Sequence, residues 1–568
     1  MKISSFRWSA SLIGLALLAE LASAPAWSAE RGPLRRAPSV QPVETEAQVI
    51  VKFKADSSMM RALAASPNAA RPQQAQIMSS RLGLVLSDGH ALDAHRQVLK
   101  ASGISSRELA ARLAAQPDVE YAEVDQRMRA LAAPNDPLYA SAPSPIVGQW
   151  YLRSPDATIV SAVNAEAAWA ITTGRSSVVV AMLDTGVRKD HPDLAGKLLP
   201  GYDFIGSAAN ANDGDGRDAD PSDPGDGVTS ADVGVVPGCT AADVGHSSWH
   251  GTQTAGMIGA ATDNGVGMAG IGRDVMILPL RVLGKCGGLS SDIQAAMMYA
   301  AGLPVDGLSI NPNKASVINL SLGAPGPCSK PYQDTVNAVI AAGVVVVAAA
   351  GNEGLTAGSP SNCAGVIGVA GLRQTGTKVA YSDLGPTVAI SAPAGNCVNA
   401  SGACLYPLLT TSNTGTQGPV SNIYTDGLNH LTLGTSFSAP LVAGTAALMF
   451  SANPTLTPAQ VVAALKSSAR AFPTTGATPI QRVQGGPFVP VSACEPPTTT
   501  TEQFYECYCT SSTCGAGMLD AGAAVAAVTP GAPPPMSGDS GGGGGALNLE
   551  WLLTLVASVL ALHLAARR

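Results

Sequence analysis

The sequence predicts an α/β fold with a mainly parallel central sheet, and two observations carry this prediction. Short apolar runs recur along the middle of the chain, as is typical of strands buried on both faces; they are residues 178–183, 277–282, 315–322, 344–349 and 366–370. Helical patterns lie between them, at residues 252–260, 291–301 and 334–342. Such alternation predicts parallel strands with helices packed on both sheet faces.

The N-terminal part of the chain predicts two further segments. Lys2 and Arg7 precede an apolar stretch, and small residues follow it, which is the pattern of a secretory signal peptide over residues 1–29. A buried first helix is the alternative. Residues 30–132 then predict a small α+β domain, with strands at 48–54 and 119–124 and a helix at 105–115.

Composition limits the partners and the redox setting. Charged residues make up 13% of the 568 residues and the formal net charge is -7, so nothing favours a nucleic-acid partner. Ten cysteines in an exported chain favour disulfides over metal thiolates. We expect the pairs Cys239–Cys286, Cys328–Cys363 and Cys397–Cys404, while three pairings stay open for Cys494, Cys507, Cys509 and Cys514.

Three short segments carry the chemistry. They are Leu-Asp-Thr-Gly at 183–186, Trp-His-Gly-Thr at 249–252 and Gly-Thr-Ser-Phe-Ser-Ala-Pro at 434–440. A serine hydroxyl becomes a nucleophile when a base takes its proton, and a carboxylate orients that base. The segments supply Asp184, His250 and Ser436 in this order. Ser438 is the neighbouring alternative, and a simple helix cap is the other use of Ser436.

These segments resemble the motifs of the subtilisin-like serine peptidases, or subtilases, from about residue 134 to about residue 527. The resemblance implies a subtilisin-like three-layer fold over residues 133–528 and hydrolysis of protein or peptide substrates through an acyl-enzyme. It also implies that Asn352 is an oxyanion-hole donor. By itself, Asn352 before Glu353 and Gly354 indicates only a turn.

The resemblance also gives residues 30–132 a role. They are similar in place and pattern to the inhibitory propeptide of the family, which acts as an intramolecular inhibitor and is then cut off. We expect self-cleavage near Leu131-Ala132-Ala133. A permanent N-terminal domain is the alternative.

An extended substrate peptide is expected to bind by strand addition. By resemblance, the receiving edges contain Gly288 and Leu289 on one side and Ser321, Leu322 and Gly323 on the other. The second edge would line the primary specificity pocket together with Gly351 and Gly358. Small residues and the lack of an evident acidic residue at its floor predict a preference for large apolar side chains.

Calcium is the expected cofactor, at two sites. An Asp- and Gly-rich loop could wrap oxygen ligands around a hard cation; its candidate ligands are Asp213, Asp215, Asp218 and Asp220. A solvated acidic loop is the alternative. The second site is implied by the resemblance, with side-chain ligands Asp136, Asp193 and Asn264 and carbonyl ligands Ala261, Val266 and Met268.

The C-terminal part predicts a Pro- and Gly-rich linker at 529–546 and an apolar segment at 547–568 that ends in two arginines. It resembles the GlyGly-type sorting tail of bacteria, which implies the export machinery and a rhomboid-like sorting protease as partners. A permanent membrane anchor is the alternative.

Together, these features predict a secreted, monomeric serine endopeptidase made as a zymogen, anchored transiently or permanently by its tail. Two other classes stay open. One is a surface-binding protein on an inactive peptidase scaffold. The other is an esterase, although Ser436 lacks the Gly-x-Ser-x-Gly context that such a nucleophile requires.

Overall fold

The computed structural model describes residues 46–63, 70–125, 133–140, 148–396, 404, 406–425, 432–477, 480–481, 488–498 and 502–530. The chain divides into two compact units, residues 1–128 and 129–568. Four predicted features lie outside the described residues: the signal peptide, most of the linker with the whole C-terminal segment, Leu131-Ala132 of the cleavage region, and Cys397.

The first unit contains four strands and three helices among its described residues. In chain order they are β1 (Ala47–Phe53), α1 (Ser58–Leu63), α2 (Ala70–Leu82), β2 (Leu86–Ala91), β3 (Arg96–Ala101), α3 (Ser106–Ala114) and β4 (Val119–Val124). The sheet order is β2-β3-β1-β4, with antiparallel pairs. Alternate residues of β1 are buried in a core that belongs to this unit, and Ser105 caps α3 by accepting from the amide of Glu108.

The second unit holds the remaining strands and α-helices. They are α4 (Pro137–Ala140), α5 (Ala165–Ile171), β5 (Val179–Asp184), β6 (Tyr202–Asp203), α6 (Ala208–Ala211), α7 (His250–Gly259), β7 (Met276–Arg281), α8 (Ser290–Ala300), β8 (Val317–Leu320), α9 (Lys330–Ala341), β9 (Val345–Ala349), β10 (Ile367–Leu372), β11 (Val388–Pro393), β12 (Thr411–Asn413), β13 (Asn422–Tyr424), α10 (Thr435–Ala452), α11 (Pro458–Ser467), β14 (Ile480–Gln481), β15 (Phe488–Val489) and α12 (Ala521–Val528).

A seven-stranded parallel sheet forms the centre of this unit. Its order is β11-β10-β9-β8-β5-β7-β6, and every pair of neighbours is parallel. Side chains of β5 enter two different cores, because Val180 and Met182 pack with α10 residues whereas Ala181 and Leu183 pack with α8 and α9 residues. Helices therefore cover both sheet faces, which confirms the predicted three-layer α/β fold.

Helix α10 runs through the first of these two cores. Nearly all of its side chains from Thr435 to Ser451 are buried, and Pro440 lies in its second turn. Among the described residues it is also the one helix long and apolar enough to cross a membrane. Its burial inside the protein accounts for that apolar composition.

Four disulfides are present among the described residues. Cys239–Cys286 and Cys328–Cys363 confirm the expected pairs. In the C-terminal group, Cys494 pairs with Cys507 and Cys509 with Cys514, which selects one of the three open pairings. These last two bridges join a small cluster with Leu372, Leu384 and Met518.

Candidate active site

An acid–base pair lies at the carboxyl end of the central sheet. Asp184 is the last residue of β5, and His250 is the first residue of α7. The Nδ1 atom of His250 is 2.7 Å from Oδ1 of Asp184. The carboxylate is fully buried and is oriented by the backbone amide of Thr185 at 2.8 Å and the hydroxyl of Thr254 at 3.1 Å. The imidazole is thereby held in one orientation with its other nitrogen available for proton transfer.

The close packing of two backbone segments positions the Asp184–His250 pair. A Cβ atom on Gly251 would lie 2.0 Å from the carbonyl oxygen of Gly186, so the start of α7 can approach the turn after β5 only with glycine there. Trp249, just before the helix, has a left-handed backbone with φ of 54°. Its side chain is buried and donates from Nε1 to the carbonyl of Gly415 at 2.8 Å.

The electrostatic surroundings of His250 include more than Asp184. Desolvation alone lowers the pKa of His250, but the Asp184 carboxylate outweighs it and, with Asp226 and Asp223, leaves this pKa above its usual value. Asp226 accepts from the amide and hydroxyl of Ser248, at 2.6 and 2.7 Å. The Ser248 hydroxyl in turn accepts from the backbone amide of His250 at 3.2 Å.

A second buried carboxylate, that of Asp223, stabilises the turn that follows Asp184. Asp223 accepts from the Thr185 hydroxyl at 2.8 Å, and this hydroxyl accepts from the amide of Gly251 at 3.0 Å. Burial, together with Asp226, raises the pKa of Asp223 to about 7. Neither Asp223 nor Asp226 was predicted to be part of this site, since an acidic loop by itself indicates only solvated charge or a cation site.

Ser436 lies in the first turn of α10, next to the pair. The ring of its neighbour Phe437 is 5.3 Å from the His250 ring, which brings this turn beside the imidazole. The side chain of Ser436 is partly exposed. Its carbonyl accepts from the hydroxyl of Ser321 at 2.6 Å, so the loop after β8 fixes the backbone of this turn.

Asn352 follows β9 and is oriented by the same turn. Its side-chain oxygen accepts from the amide and the hydroxyl of Thr435, at 2.9 and 3.0 Å. With the oxygen engaged, the Nδ2 group of Asn352 is the end that remains to donate. This atom and the backbone nitrogen of Ser436 both lie 3.7 Å from the point that a Cβ of Gly434 would occupy, so the two donors are neighbours.

A cavity that is open to solvent lies beside these donors. Of the predicted substrate-binding residues, Leu322, Gly323, Gly351 and Gly358 line it. Ser321 does not line the cavity; its hydroxyl donates to the carbonyl of Ser436. Gly288 and Leu289 do not line the cavity either. The complete lining is Leu322, Gly323, Ala324, Pro325, Ala349, Ala350, Gly351, Asn352, Glu353, Gly358, Ser359, Asp383, Thr435 and Ser436.

No evident acidic residue was expected at the floor of the specificity pocket, yet two carboxylates line the cavity. Asp383 and Glu353 both line the cavity. Asp383 is separated from Glu353 by 30 residues in the chain, and it reaches the cavity from the connection between β10 and β11. The neighbouring position of β10 and β9 in the sheet brings the two carboxylates together, and no local sequence pattern reports that proximity.

The second predicted calcium site is drawn together by the fold. Asp136 and Asp193 are buried, and Asp193 accepts from the side-chain amide of Asn264 at 3.0 Å and from the amide of Met268 at 2.7 Å. Burial raises the pKa of both carboxyl groups, and repulsion from Asp263 and then from Asp193 adds to this for Asp136. Ala261 donates to the carbonyl of Asp193, and Val266 donates to the Asn264 side chain. Asp136, Asp193 and Asn264, whose side chains carry oxygens of the kind that Ca²⁺ accepts, are thus neighbours in the structure.

The acidic loop has a different arrangement. Asp213 pairs with the buried side chain of Arg281 at 2.6 Å, and Asp220 pairs with Lys189 at 2.8 Å. Asp218 accepts from the amide of Asp220 at 2.7 Å, and Asp213 is close to the amide of Asp215 at 3.3 Å. Two of the four predicted ligands are therefore neutralised by cationic side chains, which does not support a calcium site in this loop.

The fold and this arrangement of acid, imidazole and hydroxyl define the class of protein. The model of the "Subtilase family" matches residues 175–488. The chain belongs to this family.

Individual relatives agree with that assignment. The chain is 42% identical over 364 residues to the "Extracellular protease" of Xanthomonas campestris pv. campestris, with 64% of this chain and 57% of the relative covered. It is 40% identical over 355 residues to the "Extracellular basic protease" of Dichelobacter nodosus, with 61% and 54% covered. The chain thus spans little more than half the length of these two relatives.

A solved structure has the same fold. It is a protease from the bacterium Pseudoalteromonas arctica, which superposes with a TM-score of 0.56 at 38% identity. The match covers 70% of this chain and 100% of the other.

Proposed function

We propose that this protein is a secreted serine endopeptidase that hydrolyses peptide bonds of proteins. The observation that carries the proposal is the buried Asp184 carboxylate, 2.7 Å from His250, beside the turn that presents Ser436. Secretion is supported by the predicted signal peptide and by the printed names of two relatives, both called extracellular.

The first half of the reaction forms an acyl-enzyme. Oγ of Ser436 adds to the carbonyl carbon of the scissile bond while its proton moves to Nε2 of His250. The oxygen that becomes negative is held by the Nδ2 group of Asn352 and the backbone amide of Ser436. The C–N bond then breaks, and His250 gives its proton to the leaving amine.

The second half releases the product. A water molecule loses a proton to His250 and adds to the acyl carbon, and the bond to Oγ of Ser436 breaks as the proton returns to that oxygen. Asp184 stays ionised throughout and stabilises the imidazolium that forms twice in the cycle. Its burial and two hydrogen bonds suit that role, since a fixed charge needs no reorganisation during the reaction.

The substrate is proposed to bind as an extended strand between two backbone segments. The segment at 321–323 continues from β8 to the cavity that Leu322 and Gly323 line. The other segment holds Gly288 and Leu289, and the Leu289 side chain is 65% exposed. Main-chain pairing of this kind gives affinity without sequence preference, which leaves selection to the cavity beside Ser436.

Calcium is proposed at the Asp136–Asp193 cluster alone. Asp136, Asp193 and Asn264 would supply side-chain oxygens, and Ala261, Val266 and Met268 would supply carbonyls. The ion would offset the repulsion between two buried carboxylates and would tie the residue 133–140 segment to the segment after α7. Its role is structural, with no part in the reaction.

The first unit is proposed to be an inhibitory propeptide. It has its own sheet and core, as a segment that survives as a separate molecule requires. A parallel sheet joins segments that are distant in the chain and folds slowly, so a template segment is useful. The C-terminal segment is proposed as a sorting tail that a rhomboid-like protease removes.

Two serine variants test the activity. Ser436→Ala should abolish casein digestion by the purified protein, and a sulfonyl fluoride should block the wild type. Ser438→Ala is the matched control, because the buried Ser438 hydroxyl donates to the carbonyls of Ala392 and Pro393 and is not part of the cavity lining. Casein digestion that survives in Ser436→Ala would overturn the proposal.

A further inference from the structure

Two carboxylates line the cavity beside Ser436, and the backbone holds one of them firmly. Asp383 is 3% exposed, and its Oδ1 atom accepts from the amides of Glu353 and Leu355, at 3.0 and 2.7 Å. Its own amide donates to the carbonyl of Gly351 at 3.0 Å. The Asp383 carboxylate therefore has a fixed position under the loop that carries Asn352.

Gly351 shows where the second oxygen of each carboxylate lies. A Cβ on Gly351 would be 2.1 Å from Oδ2 of Asp383 and 2.9 Å from Oε2 of Glu353, so both oxygens face the same side of this residue. Gly351 itself lines the cavity. The Oε2 atom of Glu353 also accepts from the backbone amide of Asn352 at 2.8 Å, so the two carboxylates lie next to each other beside this glycine.

No positive side chain in the described lining offsets this charge. Lys, Arg and His are all missing from the lining residues that the structure describes. The cation that interacts electrostatically with Asp383 is Lys378, which is fully buried and donates to the carbonyls of Ala380 and Gln503, at 2.6 and 2.8 Å. It is held by these carbonyls and is not a cavity residue.

We propose that the carboxylates of Asp383 and Glu353 make this cavity select a cationic side chain, so that the enzyme cleaves after arginine or lysine. The selection acts on the residue whose carbonyl Ser436 attacks, and it rests on the proposed function. A guanidinium or ammonium group that enters the cavity loses water and gains two negative partners, whereas a large apolar side chain would desolvate these carboxylates without compensation.

The protonation of this pair should make the selection depend on pH. Burial, reinforced by the neighbouring charge of Glu353, raises the pKa of Asp383 to about 7, against the hydrogen bond from Leu355. The cavity therefore gains negative charge as the pH rises from about 6 to about 8. Burial also lowers the pKa of Lys378 to about 7, so its loss of a proton would change the local charge in the same direction.

A pair of matched peptides measures the charge selection separately from the other steps of catalysis. Two fluorogenic peptides that differ only in arginine or citrulline before the scissile bond have side chains of the same shape and different charge. The ratio of their kcat/KM values cancels the titration of His250, which affects both equally. In the wild type this ratio should reach about tenfold at about pH 8 and decrease at about pH 6.

Conservative variants test whether the two carboxylates cause the difference in kcat/KM between the two peptides. Asp383→Asn keeps an oxygen that can accept from Glu353 and Leu355. It should reduce the ratio to about twofold and weaken its pH dependence, leaving only the part that Lys378 contributes. Glu353→Gln, at an exposed position, should reduce the ratio part of the way and provides the test should Asp383→Asn not fold. Asp334→Asn, on the exposed face of α9, is the control that should keep the wild-type ratio.

The outcomes separate this inference from the proposed function. A wild-type enzyme that cleaves both peptides equally at about pH 8, or a ratio unchanged in both variants, would overturn the selection while leaving the peptidase assignment intact. Peptide cleavage that persists in Ser436→Ala would instead overturn the proposed function.

Discussion

At the residue scale, Asn352 shows how a donor is aimed by its neighbours. Because Thr435 occupies its oxygen with two hydrogen bonds, the amide cannot rotate without losing both. Asn352→Ala should therefore lower kcat by about 10²–10³-fold and leave KM nearly unchanged, since the donor acts on charge that develops only in the transition state.

Steady-state kinetics on one peptide measures this, with circular dichroism as the check on folding. Asn352→Asp is the informative comparison, because it keeps the acceptor for Thr435 but loses the donor and should be equally impaired. A variant that loses affinity and keeps kcat would assign Asn352 to ground-state binding instead.

Asp226 acts on His250 through charge. His250 works as a base only when neutral, so kcat/KM rises as the pH passes its pKa, which Asp184, Asp226 and Asp223 hold above the usual value. Asp226→Asn removes one negative charge and should shift this rise to lower pH by about 0.3–1 unit. A pH profile measures it with Asp334→Asn as control; a shift to higher pH would contradict the electrostatic account.

At the element scale, the strands with a continuous apolar run were predictable and the strands without one were not. β5, β7, β8, β9 and β10 are largely apolar, so their pattern alone indicates them. β11 was missed because Ser391 and Pro393 interrupt its apolar run, and β6 because two residues form no pattern. β2 in the first unit was missed because its residues are mostly polar and exposed, as an edge strand allows.

The loop that follows α7 is where calcium should act. Saturating calcium should raise the melting temperature by about 3–6 °C relative to protein in excess EDTA, because an ion bound only by the folded state stabilises it. Asp193→Asn should lose this response. Asp220→Asn, in the acidic loop, should keep it, since Lys189 already holds that carboxylate. Equal melting temperatures in calcium and EDTA would argue against the site.

At the scale of the whole molecule, the motifs predicted the candidate catalytic residues but not the charged residues around them. Asp184, His250 and Ser436 were recognised because short glycine-containing segments mark them. Asp383 and Asp223 carry no such mark, and their positions follow from strand order and from long-range hydrogen bonds. The role proposed for Asn352 was identified only by resemblance, since its local sequence indicates a turn.

Processing of the precursor is a property of the complete chain. Wild-type protein should lose residues up to a new N-terminus near Leu131-Ala132-Ala133, whereas Ser436→Ala should keep the first unit, because the proposed self-cleavage needs the Ser436 hydroxyl. Intact mass and N-terminal sequencing of both purified proteins measure this, with Ser438→Ala as the control that should mature. A Ser436→Ala protein that matures alone would show that another protease makes the cut.

The placement of the cysteines has a consequence for the proposed activation. All ten lie between Cys239 and Cys514, so no sulfur bond can join the first unit to the second. Before the cut, a short connection keeps the first unit at an effective concentration of the order of millimolar. Afterwards that concentration decreases to whatever the surrounding medium contains. Dilution outside the cell would then drive release of the first unit, and a crowded compartment would delay it.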